Sequence, residues 1–157
     1  MVGLVAMYRL ELSVLARVAV AMLLGAAIGL ERETKDKPAG LRTHMLMAGA
    51  ASVMVALGPV MVERLGETIS GDVLRADPIR LVVAVITGVS FLGAGTILRR
   101  GSERQVEGLT TAASLLLVAA AGMSTALELW VLAVGVTVLA LVVLRGVGLI
   151  ERALWRH

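Results

Sequence analysis

Residues Leu109–Leu127 read LTTAASLLLVAAAGMSTAL, a run without any ionisable side chain. A stretch of about 20 apolar residues can cross the hydrocarbon core of a bilayer as an α-helix. In lipid the backbone must satisfy its own hydrogen bonds, which only a helix or a closed barrel achieves. Because the apolar residues here follow one another without the alternation of a barrel strand, the run predicts a transmembrane helix.

Similar runs recur along the rest of the chain. They are Leu12–Leu30, His44–Val62, Ile79–Leu98 and Leu129–Ile150. The 157 residues are 58% hydrophobic and 17% charged, whereas a soluble domain is about 25% charged. The connections between the runs are too short for a separate soluble domain. The sequence therefore predicts one all-α integral membrane domain over residues 1–157, a bundle of about five transmembrane helices.

The distribution of positive charge predicts an orientation. With five spans the termini lie on opposite sides, and the cations of one side are Arg9, Arg64, Arg75 and Arg80. Those of the other side are Arg32, Lys35, Lys37, Arg42, Arg99, Arg100, Arg104, Arg152 and Arg156. Since cytoplasmic loops carry the excess of Lys and Arg, we expect the N-terminus outside and the C-terminus in the cytoplasm.

Several chemical classes lack support in the composition. The chain has no cysteine and only two histidines, and no metal-ligand cluster, nucleotide-binding loop or nucleophile paired with a base stands out. No carboxylate lies in the middle of a span, where a Mg²⁺ pathway would need oxygen ligands. We expect no enzymatic activity, no cofactor and no bound metal, and the partners to be lipid and membrane proteins rather than nucleic acid.

Arg17 lies inside the first predicted span, where a charged side chain is costly and usually faces a partner within the bundle. The acids predicted on the same side are Glu11, Glu63, Asp72 and Asp77. One of them is the expected partner, and snorkelling of Arg17 to the lipid headgroups is the alternative. Asp77 also precedes Pro78, so it is the predicted N-cap of the third helix.

A second polar group lies where the first two spans meet on the cytoplasmic side. Its members are Glu31, Arg32, Glu33, Arg42, Thr43 and His44, and Thr110 and Thr111 begin the fourth span on the same side. The sharper hypothesis is a hydrogen-bonded site gathered from three helices, in which Glu31 or Glu33 pairs with Arg42. An Arg beside a helix N-terminus could also bind an anion or a partner carboxylate. The alternative is an ordinary topology signal in contact with anionic headgroups.

Glycines indicate where helices approach closely. Gly25 and Gly29 lie on one face of the first span, and the third span contains Gly88, Gly93 and Gly95. Small residues in membrane helices mark helix–helix contacts. We expect a homo-oligomer, a dimer, through the face of Gly25 and Gly29 or through the glycines of the last two spans. The alternatives are packing within one monomer and, for the third span, a locally opened helix that lines a polar cavity.

Taken together, the motifs resemble the bacterial MgtC/SapB family. They are Arg17, Gly29-Leu-Glu-Arg-Glu33, Pro38-Ala-Gly-Leu-Arg-Thr-His44, Asp77-Pro with Arg80, Phe91-Leu-Gly-Ala-Gly95 and Gly108-Leu-Thr-Thr-Ala-Ala-Ser114. The resemblance implies a five-helix domain of the bacterial inner membrane. It also implies a link to magnesium homeostasis, to stress adaptation and to virulence through survival inside macrophages.

The resemblance further implies a regulatory, non-enzymatic action on other membrane proteins such as the rotary ATP synthase. A small oligomeric transporter or channel for Mg²⁺ or another ion is the alternative. Many members carry a C-terminal cytosolic domain similar to ACT domains, and here we expect the transmembrane domain alone. The chain departs from the family pattern at Ala84, Ser90 and Leu116, where Gln, Gly and Trp are common. Loss of the Gln removes a possible polar ligand for an ion.

Overall fold

The computed structural model of the protein describes residues 2–66, 77–99 and 106–147. These form α1 (Val2–Glu33), α2 (Leu41–Gly66), α3 (Pro78–Gly95), α4 (Leu109–Ala126) and α5 (Trp130–Val142), and a π-helical turn, Val143–Val147, continues α5. The predicted all-α architecture of five helices is confirmed. The predictions for Asp72, Arg75, Arg100, Arg104, Arg152 and Arg156 and for the end of the fifth span lie outside the described residues.

Three of these helices are long and apolar enough to cross a membrane by length and composition: Met7–Glu33, Leu41–Arg64 and Leu109–Ala126. The third and fifth predicted spans coincide with shorter apolar helical segments, Ile79–Gly95 and Trp130–Gly146, and that these two cross a membrane stays a prediction. Many large apolar side chains lie on the surface of the bundle, for example Val131, Phe91 and Ile79. Such a surface is stable against lipid tails and would be unusual in water.

The central helix of the bundle is α4, which contacts the other four helices, while α1 and α2 form the most extensive helix pair. Within its apolar window, 56% of α4 is buried, against 22% of α1. Its small residues, such as Ala119, Ala121 and Gly122, allow neighbouring backbones to approach. Four polar side chains of α4 are also buried in the bundle, Thr111, Ser114, Ser124 and Thr125, and the first two contribute to the candidate site below.

The ends of α3 show one confirmed boundary and one correction. The carboxylate of Asp77 accepts a hydrogen bond from Ile79 N at 3.0 Å, as predicted for an N-cap before Pro78. At the other end the span was predicted to continue to Leu98, but the helix ends at Gly95. Thr96 terminates it by donating from its hydroxyl to the carbonyl of Gly93 at 2.7 Å.

A short antiparallel ribbon joins α3 to α4, where the sequence indicated only a loop. Leu98–Arg99 (β1) pairs with Val106–Glu107 (β2). The chain then turns at Gly108, whose φ of 93° lies in the left-handed region that favours glycine. A Cβ at this position would collide with the carbonyl oxygen of Thr96. The antiparallel packing of α3 and α4 brings the two strands together.

Candidate functional site

Polar side chains are concentrated in two clusters at opposite ends of the bundle. The Arg32 end is the end at which α1 and α3 finish and α2 and α4 begin. The Arg17 end is the opposite end, around the turn from α4 to α5. Each cluster draws on at least two helices, but they differ in burial and in the kind of contact that holds them together.

Two neighbouring charged residues at the Arg32 end are almost completely buried. The side chain of Glu31 is 2% exposed and that of Arg32 is 4% exposed. Arg32 Nε lies 2.5 Å from Glu31 Oε2, and Lys35 Nζ lies 2.6 Å from Glu31 Oε1. Burial of a charge is tolerated when the charge is paired, so the Glu31 carboxylate is held by two cations from its own helix and the turn that follows.

The π-helical turn after α5 contributes to the same end. Lys35 Nζ donates to the carbonyl oxygen of Leu144 at 3.0 Å. A π-turn disturbs the regular helical hydrogen bonds and commonly occurs at functional sites. Lys35 thus connects α1 to the end of α5 while it neutralises Glu31.

The predicted pairing of Glu31 or Glu33 with Arg42 is wrong for the described residues. Glu33 Oε2 instead accepts from the backbone N–H of Leu41 at 2.8 Å, which satisfies one free donor at the start of α2. Arg42 lies on the exposed face of the first turn of α2 and makes none of the ion pairs found in the described part of the chain. Glu31 is turned inward, so the exposed guanidinium of Arg42 does not reach it.

His44 is fully buried between α1, α2 and α4. Its Nδ1 lies 2.8 Å from the carbonyl oxygen of Gly40, and its Nε2 lies 3.0 Å from Ser114 Oγ. Because a carbonyl can only accept, the ring proton of the neutral imidazole is on Nδ1, and Nε2 then accepts from the Ser114 hydroxyl. The same hydroxyl is 2.7 Å from the carbonyl oxygen of Thr111, so its single proton has two available acceptors.

The predicted single hydrogen-bonded site is not found in the described residues: Glu31 bonds to Arg32 and Lys35, and His44 bonds to Ser114, but no hydrogen bond there joins these two groups. Glu31 and Arg32 come from α1, His44 from α2, and the buried Thr111 from α4. The other predicted members of the second and fourth spans, Thr43 and Thr110, are exposed. Whether these residues act in function stays a prediction.

At the Arg17 end, Arg17 has partners that the sequence analysis did not name. Its Nη2 lies 3.3 Å from Glu128 Oε1 and 3.1 Å from Ser13 Oγ. Its Nη1 donates to the carbonyl oxygen of Ala126 at 3.0 Å. Glu128 has a positive φ of 59° and lies in the turn between α4 and α5. Arg17 therefore closes the C-terminus of α4, and Glu11, Glu63 and Asp77 are not its ion-pair partners.

Between the two ends, the contact between α2 and α4 is mostly apolar and tight. Thr125 Oγ1 donates to Ser52 Oγ at 3.2 Å. Toward the Arg32 end, a Cβ on Gly122 would collide with the backbone of Ala48, and Leu115 and Val118 are fully buried. Within the described residues, no group of three His, Asp or Glu side chains could hold a metal ion.

The glycines fall into two classes. A Cβ at Gly25 would lie 2.5 Å from the carbonyl oxygen of His44, and one at Gly29 would lie 2.8 Å from Leu41 Cα. These two glycines pack α1 against α2 inside the monomer and are not available as the dimer face that we considered. Gly93 contacts Ala112 of α4. A Cβ at Gly88 or Gly95 would meet nothing within 4 Å.

Three side chains of the clusters were missed as specific partners: Lys35, Ser114 and Glu128. The spacing of Glu31 and Lys35 is the favourable i,i+4 arrangement of opposite charges on a helix, which could have identified the pair. Ser114 was noted only as polar, and its spacing along α4 from the buried Thr111 points to the same face. Nothing in the sequence indicates that the turn carboxylate Glu128 folds back onto Arg17.

Comparison with known proteins relates the chain to bacterial membrane proteins. It is 39% identical over 129 residues to the putative magnesium transporter YhiD of Escherichia coli K12, covering 82% of this chain and 57% of YhiD. It is 36% identical over 147 residues to an uncharacterized protein of Haemophilus influenzae, covering 94% of this chain and 60% of that protein. It is 42% identical over 95 residues to MgtC of Salmonella typhimurium, covering 60% of this chain and 35% of MgtC.

The chain thus spans less than two thirds of the length of these relatives. No solved structure matches it. The model of the MgtC family matches residues 18–153, a range that begins one residue after Arg17 and includes the cluster at the Arg32 end and the tight contact between α2 and α4. With its apolar surface and long apolar helices, this membrane protein belongs to the MgtC family.

Proposed function

We propose that this protein is a non-enzymatic regulatory protein of the bacterial inner membrane, linked to magnesium homeostasis and stress adaptation. It acts through lateral contacts of its helices with other membrane proteins. Membership of the MgtC family supports the magnesium link, as do the names of relatives such as the putative magnesium transporter YhiD. The charge distribution supports an orientation with the N-terminus outside, so that the Arg32 end faces the cytoplasm.

One observation carries the preference for regulation over transport. The polar clusters at the two ends are separated by the contact of Gly122 with the backbone of Ala48 and by the buried side chains of Leu115 and Val118. An ion that crosses a membrane protein needs oxygen ligands or water along its path. An apolar, close-packed segment supplies neither, so the interior of the bundle is suited to holding its helices together.

A flux measurement tests this proposal. The purified protein in liposomes, with a Mg²⁺-sensitive or pH-sensitive dye inside, is expected to leave both ion gradients unchanged relative to empty liposomes. Transport that disappears in Arg17→Ala, in a variant that remains folded, would overturn the regulatory proposal. Leu139→Ala, a change on the exposed face of α5, is the control for reconstitution.

The second candidate is a small oligomeric ion transporter. The polar side chains at the α2–α4 contact favour it: His44, Ser52, Thr111, Ser114 and Thr125 are all buried on these two helices. A rearrangement that separated Ala48 from Gly122 would connect them. Cysteine crosslinking of Ala48→Cys in α2 to Val118→Cys in α4, two positions of one buried cluster, tests this, since a transporter must lose flux when the two helices are joined.

Photocrosslinking tests the lateral contacts directly. A photoreactive phenylalanine analogue at Phe91, which is 79% exposed on α3, is expected to form adducts with another membrane protein in native membranes. The analogue at Val118, buried in α4, is the control that should form none. The same analogue is then placed at exposed residues of α5. If these positions and position 91 all label lipid alone, the proposal of lateral protein contacts fails.

A further inference from the structure

The guanidinium of Arg32 is buried but only partly used. Its Nε is paired with Glu31 Oε2. Among the described residues, its two terminal nitrogens make no further hydrogen bond to the protein. A guanidinium carries five N–H donors, four of them on these terminal nitrogens. The side chain is 4% exposed, and its terminal nitrogens are not among the fully buried atoms that lack a partner, so they reach the surface at the end of the bundle, where another group can accept from them.

Among the described residues, the ion pairs of Arg32 carry a net positive charge. Arg32 and Lys35 both contact the single carboxylate of Glu31, so these three side chains together carry one positive charge. Glu33 makes no ion pair with Arg32 or Lys35 in the described part of the chain, and its Oε2 accepts from Leu41 N instead. His44, next to the cluster, carries its ring proton toward Gly40 and offers no negative charge.

We propose that Arg32 binds the phosphate group of an anionic ligand at the end of the bundle. The two terminal nitrogens of a guanidinium form a planar fork that matches two oxygens of a phosphate. Arg32 lies one residue before the end of α1, so the site is at the level where phospholipid headgroups meet the hydrocarbon core. The phosphate can come from a lipid headgroup or from free inorganic phosphate, and the two sources share this chemistry.

The sequence suggested Arg42 as an anion-binding arginine, and the structure favours Arg32 instead. Arg42 is exposed. Arg32 is buried beside a carboxylate that occupies one edge of its guanidinium and leaves the other edge open. The proposal does not depend on whether the protein regulates or transports, because it concerns only the binding of an anion at the Arg32 end.

The variants for the test are Arg32→Gln and Arg32→Lys, with Arg42→Gln as the matched control. Arg32→Gln removes the charge and the fork, and Lys35 still pairs with Glu31, so the fold is expected to persist. Arg32→Lys keeps the charge without the planar fork. Arg42→Gln removes an arginine of the same end that has no place in the proposed site. Circular dichroism and unfolding in detergent report whether each variant is folded.

Native mass spectrometry of the full chain in mild detergent measures lipid binding, with phosphatidylglycerol and phosphatidylcholine as the probes. Inorganic phosphate is tested separately by its effect on the unfolding temperature, with chloride at equal ionic strength as the control. We expect binding of one of these phosphate sources to fall by about tenfold or more in Arg32→Gln, and less in Arg32→Lys, because a charge-assisted bidentate contact is lost. Arg42→Gln should change it by less than about twofold.

The pattern of results identifies the source or overturns the proposal. Loss of phosphatidylglycerol binding alone assigns a lipid headgroup, and loss of the stabilisation by inorganic phosphate assigns the free anion. An equal loss in Arg32→Gln and Arg42→Gln would indicate unspecific attraction to cations and would contradict the site. If the folded wild-type protein binds neither of the two phospholipids nor inorganic phosphate, Arg32 has no phosphate ligand, whatever the variants do.

Discussion

The two ends of the bundle solve the same problem, an arginine among apolar helices, in different ways. At the Arg17 end the guanidinium reaches outward, and its carboxylate partner, Glu128, is 61% exposed. At the Arg32 end the arginine and its partner Glu31 are both buried. The first contact can exchange with water and lipid headgroups, whereas the second depends on the protein to replace its hydration.

Backbone proximity explains the difference. Near the Arg32 end, Gly25 and Gly29 bring α1 against the backbone of α2 at His44 and Leu41. Toward the Arg17 end, the corresponding contact of α2 is between Gly58 and the tip of the Leu81 side chain. Backbones in contact exclude water from the groups beside them, while a flexible side chain can move aside. The Arg32 end is therefore the more rigid and the more sensitive of the two.

The largest difference in stability is expected between variants of the two carboxylates, Glu31 and Glu128. Glu31→Gln leaves the buried Arg32 and the partly exposed Lys35 without a negative partner, and it is expected to lower the free energy of unfolding by about 3–5 kcal/mol. Glu128→Gln removes a partner that is mostly exposed and should cost less than about 1 kcal/mol. Unfolding of both variants by increasing amounts of SDS in mixed micelles, followed by circular dichroism, measures these values. Equal costs would contradict the comparison.

The next largest difference in stability is expected between alanine variants of two glycines, Gly25 and Gly58. Gly25→Ala places a methyl group 2.5 Å from the carbonyl oxygen of His44, and this overpacking is expected to cost about 1–3 kcal/mol. Gly58→Ala meets only the end of Leu81, which can change rotamer, and alanine gains up to about 1 kcal/mol in helix propensity. The same SDS titration should therefore show destabilisation for Gly25→Ala alone. A neutral Gly25→Ala would show that α1 and α2 can separate freely.

A smaller difference is expected for two serines of α4. Ser114→Ala removes the hydroxyl that contacts His44 Nε2 and leaves a buried acceptor unpaired, at a cost of about 1 kcal/mol. Ser124→Ala, toward the Arg17 end, removes a bond to the carbonyl of Ala120 in the same helix, and a change within about 0.5 kcal/mol is expected. Adding His44→Phe to each variant tests the contact, since only Ser114→Ala should be non-additive with it.

The sequence predicts the helices because each feature involved is local. Apolar length defines the spans, and Asp77 before Pro78 marks the start of α3 through contacts two residues apart. The candidate site is harder to predict from the sequence, because its contacts join residues that are distant in sequence. Arg17 contacts Glu128, and His44 contacts Ser114. Opposite charge alone favoured Arg42 for Glu31, but the choice of partner depends on which face of the turn between α1 and α2 is buried. Side-chain direction at a tight turn follows from packing, which composition and periodicity do not encode.

The last prediction concerns the glycines that the monomer leaves open. Gly88 and Gly95 are seven residues apart, so they share one face of α3, and a Cβ at either would meet nothing within 4 Å. We therefore propose this face of α3 as the homodimer interface. It replaces the face of Gly25 and Gly29, which α2 already covers. Gly88→Leu with Gly95→Leu should leave the stability of the monomer within about 0.5 kcal/mol and reduce the mass of the detergent-solubilised protein to that of a monomer.

Gly135→Leu, at an equally open position on α5, is the control and should leave the mass unchanged. If the mass falls with Gly135→Leu and not with the α3 variant, the dimer face is on α5, and the open face of α3 is left to lipid or to another protein.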